Sequence, residues 1–390
     1  MPVINRIADF APEMAEWRRT IHQHPEICYE EVKTSDLVAA KLAEWGIEVH
    51  RGIATTGLVG VLRNGSSGRS IGLRADMDAL PMPEETGLSY ASKVPGKMHA
   101  CGHDGHTTML LGAAKYLAET RNFDGTVHFI FQPAEEGGAG GKVMVQEGLF
   151  SRFPCDSVYG VHNDPELKLG ECSVVAGPVL AASDRLEILV SGVGGHAARP
   201  HTTIDPVLVG AQIVVALQAI VARRVDPLDS AVISLCQFHA GTASNVIPET
   251  AEIKGTVRTL RPETQDEMER LITRIAEGTA AAHGAEARVT YRRGYPPTVN
   301  HAAETERAAL AAAKVMGTER VIRDRLPKMG GEDFSFMLLE RPGCFVNLGQ
   351  ADGAKGAVPV HNTKYDFNDD LLPVGASFFA ALVEQELPRG

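Results

Sequence analysis

The stretch Thr126-Val127-His128-Phe129-Ile130-Phe131-Gln132-Pro133-Ala134-Glu135-Glu136-Gly137-Gly138 decides the fold class. Its opening run is short, apolar and rich in β-branched and aromatic residues, which predicts a buried strand. The strand runs into a proline and two adjacent carboxylates. Residues 57–62 and 70–75 read as strands of the same kind, with Asp76 at the end of the second. Residues 107–117 read as a helix starting directly after a cluster of histidines and a cysteine. Residues 11–42 carry apolar positions at helical spacing, interrupted at Pro25, and so predict two helices that turn Trp17, Ile21 and Leu37 to a core. Strands alternating with helices imply an α/β fold with a mostly parallel sheet, in which ligands gather outside the strand carboxyl ends. The polar clusters fall at such ends.

The rhythm changes near Ser183. Residues 185–192 alternate like a half-exposed antiparallel strand. A helix over 206–221, strands over 230–238 and 250–260, a helix over 265–283 and a strand over 287–292 follow, the order β-α-β-β-α-β of a ferredoxin-like unit. Pro296-Pro297 marks the return to helix (304–316), strand (344–349) and helix (371–387). The expected organisation is a discontinuous catalytic domain, 1–183 with 294–390, and an inserted lid or dimerisation domain, 184–293. A chain of 390 residues fits two domains.

Composition narrows the class. With 44% hydrophobic and 22% charged residues the chain is globular rather than disordered. A net charge of −11 without a basic run argues against nucleic-acid and anionic-membrane partners. The first residues, Met1 to Asp9, do not form a basic-then-apolar leader, so the expected location is cytoplasmic. Six scattered cysteines, at 28, 101, 155, 172, 236 and 344, predict reduced thiols rather than a disulfide scaffold.

The chemistry concentrates in His99-Ala100-Cys101-Gly102-His103-Asp104-Gly105-His106 and in Glu135-Glu136. Thiolate, imidazole and carboxylate are the side chains that bind borderline transition metals. Cys101 and His103 stand two apart, so an extended or turned backbone projects both to one side. Gly102 and Gly105 permit tight turns and keep bulk away from the cluster. Of two neighbouring acids, one can bind a cation while the other takes a proton from water; spacing leaves open which does which.

These segments, with Arg74-Ala75-Asp76-Met77-Asp78-Ala79-Leu80-Pro81 and with His361 and Asp366-Phe367-Asn368, resemble the metal-dependent amidohydrolases of the aminoacylase/carboxypeptidase superfamily. The similar branch is that of the N-acyl amino acid amidohydrolases, including hippurate hydrolases and plant indole-acetyl-amino-acid hydrolases. The resemblance runs along essentially the whole chain. It implies two divalent metal ions held by Cys101, His103, Glu136, His162 and His361, with Cys101 bridging, Glu135 as general base, and Asp78 orienting a ligand. It also assigns His196, in Gly194-Gly195-His196, to the oxyanion in the active site of a partner subunit, and Asn245 to a second polar contact. The cation for the substrate carboxylate would be Arg258, on a strand of the inserted domain.

The expected reaction is hydrolysis of N-acyl amino acids by a homodimer or dimer-based homo-oligomer. Zinc, manganese, cobalt and nickel all accept such a ligand mixture. The alternatives are a dipeptidase or carboxypeptidase with the same centre, a closed structural or redox metal site, and a non-enzymatic amino-acid sensor. Asp76 stands where other branches carry a metal-binding histidine, and Asp164 where this branch commonly has an aromatic residue. Their roles stay open, as do those of Asp104, His106 and Glu332-Asp333.

Overall fold

The computed structural model describes residues 3–389; Met1, Pro2 and Gly390, at the ends of the expected catalytic segments, lie outside the described residues. The chain divides into two compact units, one of Met1–Gly177, Val299–Leu326 and Asp333–Gly390, the other of Pro178–Thr298 and Pro327–Glu332. The short 327–332 segment joins the second unit by backbone pairing, Lys328 N–H to Val179 O at 3.0 Å and Ala181 N–H to Gly330 O at 2.9 Å.

In chain order the main strands are β1 (Glu48–Ile53), β2 (Gly57–Asn64), β3 (Ser70–Asp76), β4 (Gly125–Gln132), β5 (Ser157–Lys168) and β6 (Cys172–Ser173); then β7 (Ser183–Ser191), β8 (Ala231–Ala240), β9 (Thr250–Thr259) and β10 (Glu286–Tyr295); then β11 (Val321–Ile322) and β12 (Gly343–Ala351). The main helices are α1 (Ala11–Gln23), α2 (Val32–Glu44), α3 (His103–Thr120), α4 (Pro206–Arg223), α5 (Pro262–Ala282), α6 (Ala302–Met316) and α7 (Leu372–Glu386).

The first unit is built on an eight-stranded sheet in the order β1-β2-β4-β3-β5-β12-β6-β11. Its centre is parallel, β3 against β4 and β5, and β5 against β12, while β1 and β2 add an antiparallel margin. The apolar runs of β2, β3 and β4 are buried on both faces, as a sheet covered by helices requires. Trp17 and Ile21 of α1 are buried, and Leu37 of α2 packs half-buried against the same core. Helix α7 is buried nearly all round, from Leu372 through Val383.

Register decides where chemistry can sit. Asp76 pairs with Gln132 and Arg74 with Gly160, so β3 and β4 end level with each other and with the middle of β5. The segments after β3 and β4 carry Asp78 and Glu135-Glu136, and β5 itself carries His162.

The second unit is a four-stranded antiparallel sheet in the order β8-β9-β7-β10, with α4 and α5 supplying the other half of its core. Leu186, Ile188 and Val190 of β7 alternate into that core, where Val209, Ile213 and Leu217 of α4 meet Met268 and Ile272 of α5. Helix α4 starts at Pro206 behind Asp205, whose carboxylate accepts the Val207 N–H at 2.9 Å. Among the described residues, α4 is the one helix long and apolar enough to cross a membrane by length and composition.

Candidate metal centre

The site begins with a glycine. Gly102 has φ +101°, and a Cβ there would lie 2.1 Å from Asn163 Oδ1, so a side chain is excluded by conformation and by space alike. This left-handed residue caps α3, which starts at His103 rather than at 107. His103 and His106 therefore sit three apart on the first helical turn, side by side, with Cys101 in the turn before them. Gly105 serves another purpose than clearing the cluster: a Cβ there would strike the Phe367 ring at 2.2 Å.

The donors converge from four segments. Cys101 Sγ belongs to two groups whose ligand atoms all lie within 4.8 Å of one another, Cys101–His103–His162 and Cys101–Glu136–His361. Its Sγ is 3.4 Å from His162 Nε2, and His361 Nε2 is 3.0 Å from Glu136 Oε1. Further hydrogen bonds orient the rings of His103 and His162 and the backbone of His361. Asp78 Oδ1 is 3.1 Å from His103 Nδ1, while Asp78 Oδ2 accepts the Glu136 backbone N–H at 2.9 Å. His162 Nδ1 donates to Asn163 O at 2.7 Å, and the His361 N–H donates to Ala100 O at 2.7 Å from a left-handed backbone (φ +60°).

This donor set fits a pair of divalent transition cations. His103 Nε2 is buried with no hydrogen-bond partner, which is expensive unless something electropositive takes the lone pair. Its other nitrogen faces a carboxylate, the arrangement that fixes the tautomer of a metal-ligating histidine. Burial, then the nearby His106, push His162 down to about 3, so its imidazole is neutral with a lone pair to give. Burial, then the Glu136 carboxylate, raise the Cys101 thiol above its ordinary value. Hydrogen bonding to Cys101 and Glu136 raises His361 to about 10. The Cys101 thiol and the His361 imidazole thus hold protons that a cation would displace. The second acid, Glu135, is buried and groups with His103 and Glu136, not with the Cys101–His361 pair.

Behind the donors lies a charged layer that accounts for residues left open by the sequence. Asp76 Oδ1 is 2.6 Å from His106 Nδ1, and Asp76 Oδ2 accepts from Arg74 Nη1 at 2.7 Å. Arg74, fully buried, also donates to Gln132 Oε1 at 2.9 Å and to Asp333 Oδ1 at 3.0 Å. Asp333 Oδ2 then accepts the Gly141 N–H at 2.8 Å. This links the end of β3 to the segment after the glutamates. Asp104 turns away from the donors, its Oδ2 lying 2.8 Å from His22 Nδ1 and 3.5 Å from Arg18 Nη1. Asp164 is buried in an ion pair with Arg325. Asn163, which no motif singled out, lies 2.7 Å from His106 Nε2 and donates to Tyr365 Oη at 2.9 Å; its only signal was its place beside His162.

In the second unit His196 and Asn245 are neighbours. His196 pairs with Val246 in a two-stranded ladder, and the Ala197 N–H donates to Asn245 O at 3.1 Å. Both side chains are exposed. Arg258, half-buried on β9, hydrogen-bonds to Thr256 Oγ1 and to its neighbour's carbonyl, Val257 O, rather than to that pair.

The family model for peptidase family M20/M25/M40 matches residues 72–385. The chain is 43% identical over 382 residues to a hippurate hydrolase of Campylobacter jejuni, covering 98% of each. It is 38% identical over 392 residues to thermostable carboxypeptidase 1 of Saccharolobus solfataricus, again covering 98% of each. The solved structure of a dinuclear metal binding peptidase from Bacillus subtilis superposes with a TM-score of 0.85 at 35% identity, over 96% of this chain and 98% of the other.

Proposed function

The chain belongs to peptidase family M20/M25/M40, and from that premise we propose that it hydrolyses the amide bond of N-acyl amino acids of the hippurate type, releasing a carboxylic acid and a free amino acid. The observation that carries the proposal is the position of Cys101 in two donor groups at once, His103 with His162 and Glu136 with His361, while a further buried carboxylate, Glu135, adjoins them. With two cations bound, Cys101 would be the shared donor, the other four residues the terminal donors, and Glu135 the base.

Two divalent cations bound there would supply Lewis-acid activation of the scissile carbonyl and of water. The protein's own residues do the rest. Asp78 holds His103 and the Glu136 backbone in one orientation. Glu135 accepts the proton of the attacking water and returns it to the departing nitrogen, a transfer that needs it within about 3 Å of that water. A closed structural site would need no such unligated acid. His196 stabilises the oxyanion, Asn245 adds a second polar contact, and Arg258 receives the substrate carboxylate.

The same proposal includes dimerisation and cytoplasmic action. The open edge strand β8 with exposed Phe238, and the exposed Leu208 and Val215 of α4, are an apolar surface suited to a second copy. If His196 serves the partner's site, mixing His196→Ala with Glu135→Ala subunits restores activity; verified mixed dimers without recovery refute the shared site.

The carboxypeptidase relative favours a second reading, peptide hydrolysis at the same centre. A panel of N-benzoyl and N-acetyl amino acids against unblocked dipeptides, with metal-reconstituted protein, decides. Higher kcat/KM on acylated substrates supports the proposal, and higher kcat/KM on dipeptides overturns it.

A further inference from the structure

We infer that the turn of residues 28–31 is a positioning element for the glutamate pair, and that Glu31, through its carboxylate, holds the left-handed residue from which Glu135 and Glu136 project. Strand β4 ends at Gln132, and two residues later Ala134 has φ +56°. A residue with a Cβ resists that conformation, so something must hold it.

Two hydrogen bonds do so. The buried Ala134 donates its N–H to Glu31 Oε1 at 2.9 Å, and its carbonyl accepts the Gly140 N–H at 3.0 Å. Glu31 is itself fully buried, and among the described residues no basic side chain pairs with it. Its oxygens are satisfied by neutral donors: Ala134 N–H and Tyr29 N–H (3.1 Å) on Oε1, and Thr56 Oγ1 at 2.5 Å on Oε2. Burial without a counter-charge pushes its carboxyl up to about 7. A buried carboxylate without a cation is a costly way to build a turn, which argues that the placement it enforces is used.

Neighbouring residues of the same turn grip the same loop. Cys28 Sγ lies 3.2 Å from Glu136 O, and Tyr29 Oη donates to Gly138 O at 2.7 Å. Tyr29 too is left-handed, φ +63°. Just before the turn, Glu26 O accepts the Ala79 N–H at 2.8 Å, so the segment is also tied to the residue next to Asp78. One short stretch thus meets both the base-bearing loop and the carboxylate that orients His103. Glu31 touches none of the metal donors; it acts through Ala134.

The test is amide hydrogen exchange and steady-state kinetics on the full chain, metal-free and manganese-loaded, for Glu31→Leu and Glu31→Gln. Leucine has no acceptor. Glutamine keeps one oxygen for the two backbone donors, and Thr56 can reverse its hydroxyl. In Glu31→Leu, exchange at Ala134 should rise about 10- to 100-fold with the interior of β4 unchanged, as for loss of a buried bond to a charged acceptor. Its kcat should fall by a similar factor with KM within about twofold and metal retained. Glu31→Gln should stay within about threefold of wild type in both readouts.

Unchanged exchange at Ala134 in Glu31→Leu, a uniform rise across β4, or Glu31→Gln behaving like Glu31→Leu overturns the inference. If Glu31→Leu does not fold, Tyr29→Phe replaces it: faster exchange confined to 134–140 supports the positioning role, and no change there overturns it. The turnover arm rests on the function proposed above. If wild type cleaves no acylated substrate, that reading fails while the exchange arm still decides this one.

Discussion

Asp78→Ala should weaken metal binding by about 10- to 100-fold. Asp78 is almost fully buried, and its two oxygens hold different partners. Oδ1 meets His103 Nδ1 at 3.1 Å, and Oδ2 accepts the Glu136 N–H at 2.9 Å. Alanine leaves both groups buried without a partner. A hydrogen bond to a charged group is worth about 1.5–3 kcal/mol, and loss of the carboxylate behind a ligating histidine typically weakens metal affinity by about 10- to 100-fold. At about 1.4 kcal/mol per decade the second figure equals roughly 1.4–2.8 kcal/mol, so one lost bond accounts for it. Asp78→Asn should fall between, since its single carbonyl oxygen can serve one donor while its amide confronts the other. The assay is competition for zinc or manganese with a chromophoric chelator at fixed pH. Affinity of Asp78→Ala within about twofold of wild type, where 10-fold or more is expected, would refute the idea that this carboxylate orients the donors.

Other outcomes test neighbouring parts of the site. Glu135→Gln should keep its full metal content and lose about 10²-fold or more in kcat, the scale of general-base catalysis, whereas Glu136→Gln should lose metal; elemental analysis beside turnover reveals whether the two acids are exchanged. Arg74→Met strips the counter-charge from buried Asp76 and Asp333 and should cost about 3–5 kcal/mol in urea unfolding; a cost under about 1 kcal/mol would show that the layer carries little. Burial lowers the His22 imidazole, but hydrogen bonds to Asp104 and Glu84 raise it to about 9. Because the folded value lies above the unfolded one, its stabilisation is complete below about pH 6.5 and is lost as pH rises through about 9. Wild type should therefore lose on the order of 2 kcal/mol relative to His22→Asn between about pH 6 and 10; parallel stability curves contradict the assignment.

Local patterns made much of this molecule legible. The apolar runs of β2, β3 and β4 and the alternation of β7 carry their burial in their spelling, and the 99–106 cluster with Glu135-Glu136 advertises donor chemistry. Less legible was the start of α3. Its cap is a left-handed glycine rather than a serine or aspartate, and Gly105 in the first turn lowers helix propensity. Strand β5 carries His162 but continues through Asn163, Asp164 and Pro165, which spell a turn. The support layer was illegible for a different reason. Arg74 meets Asp333 across 259 residues, and Glu31 meets Ala134 across 103; no periodicity encodes such meetings. The donors are written in local motifs, and the apparatus that aims them arises only when distant segments fold together.

On the proposed reading Cys101 would be shared by two cations, with His103 and His162 on one side and Glu136 and His361 on the other. Anomalous diffraction from manganese- or zinc-soaked crystals decides whether it is. Two peaks per chain are expected, both about 2.0–2.4 Å from donor atoms of these residues, with Cys101 Sγ shared. A single peak, or peaks held by other residues with Cys101 unligated, would contradict it.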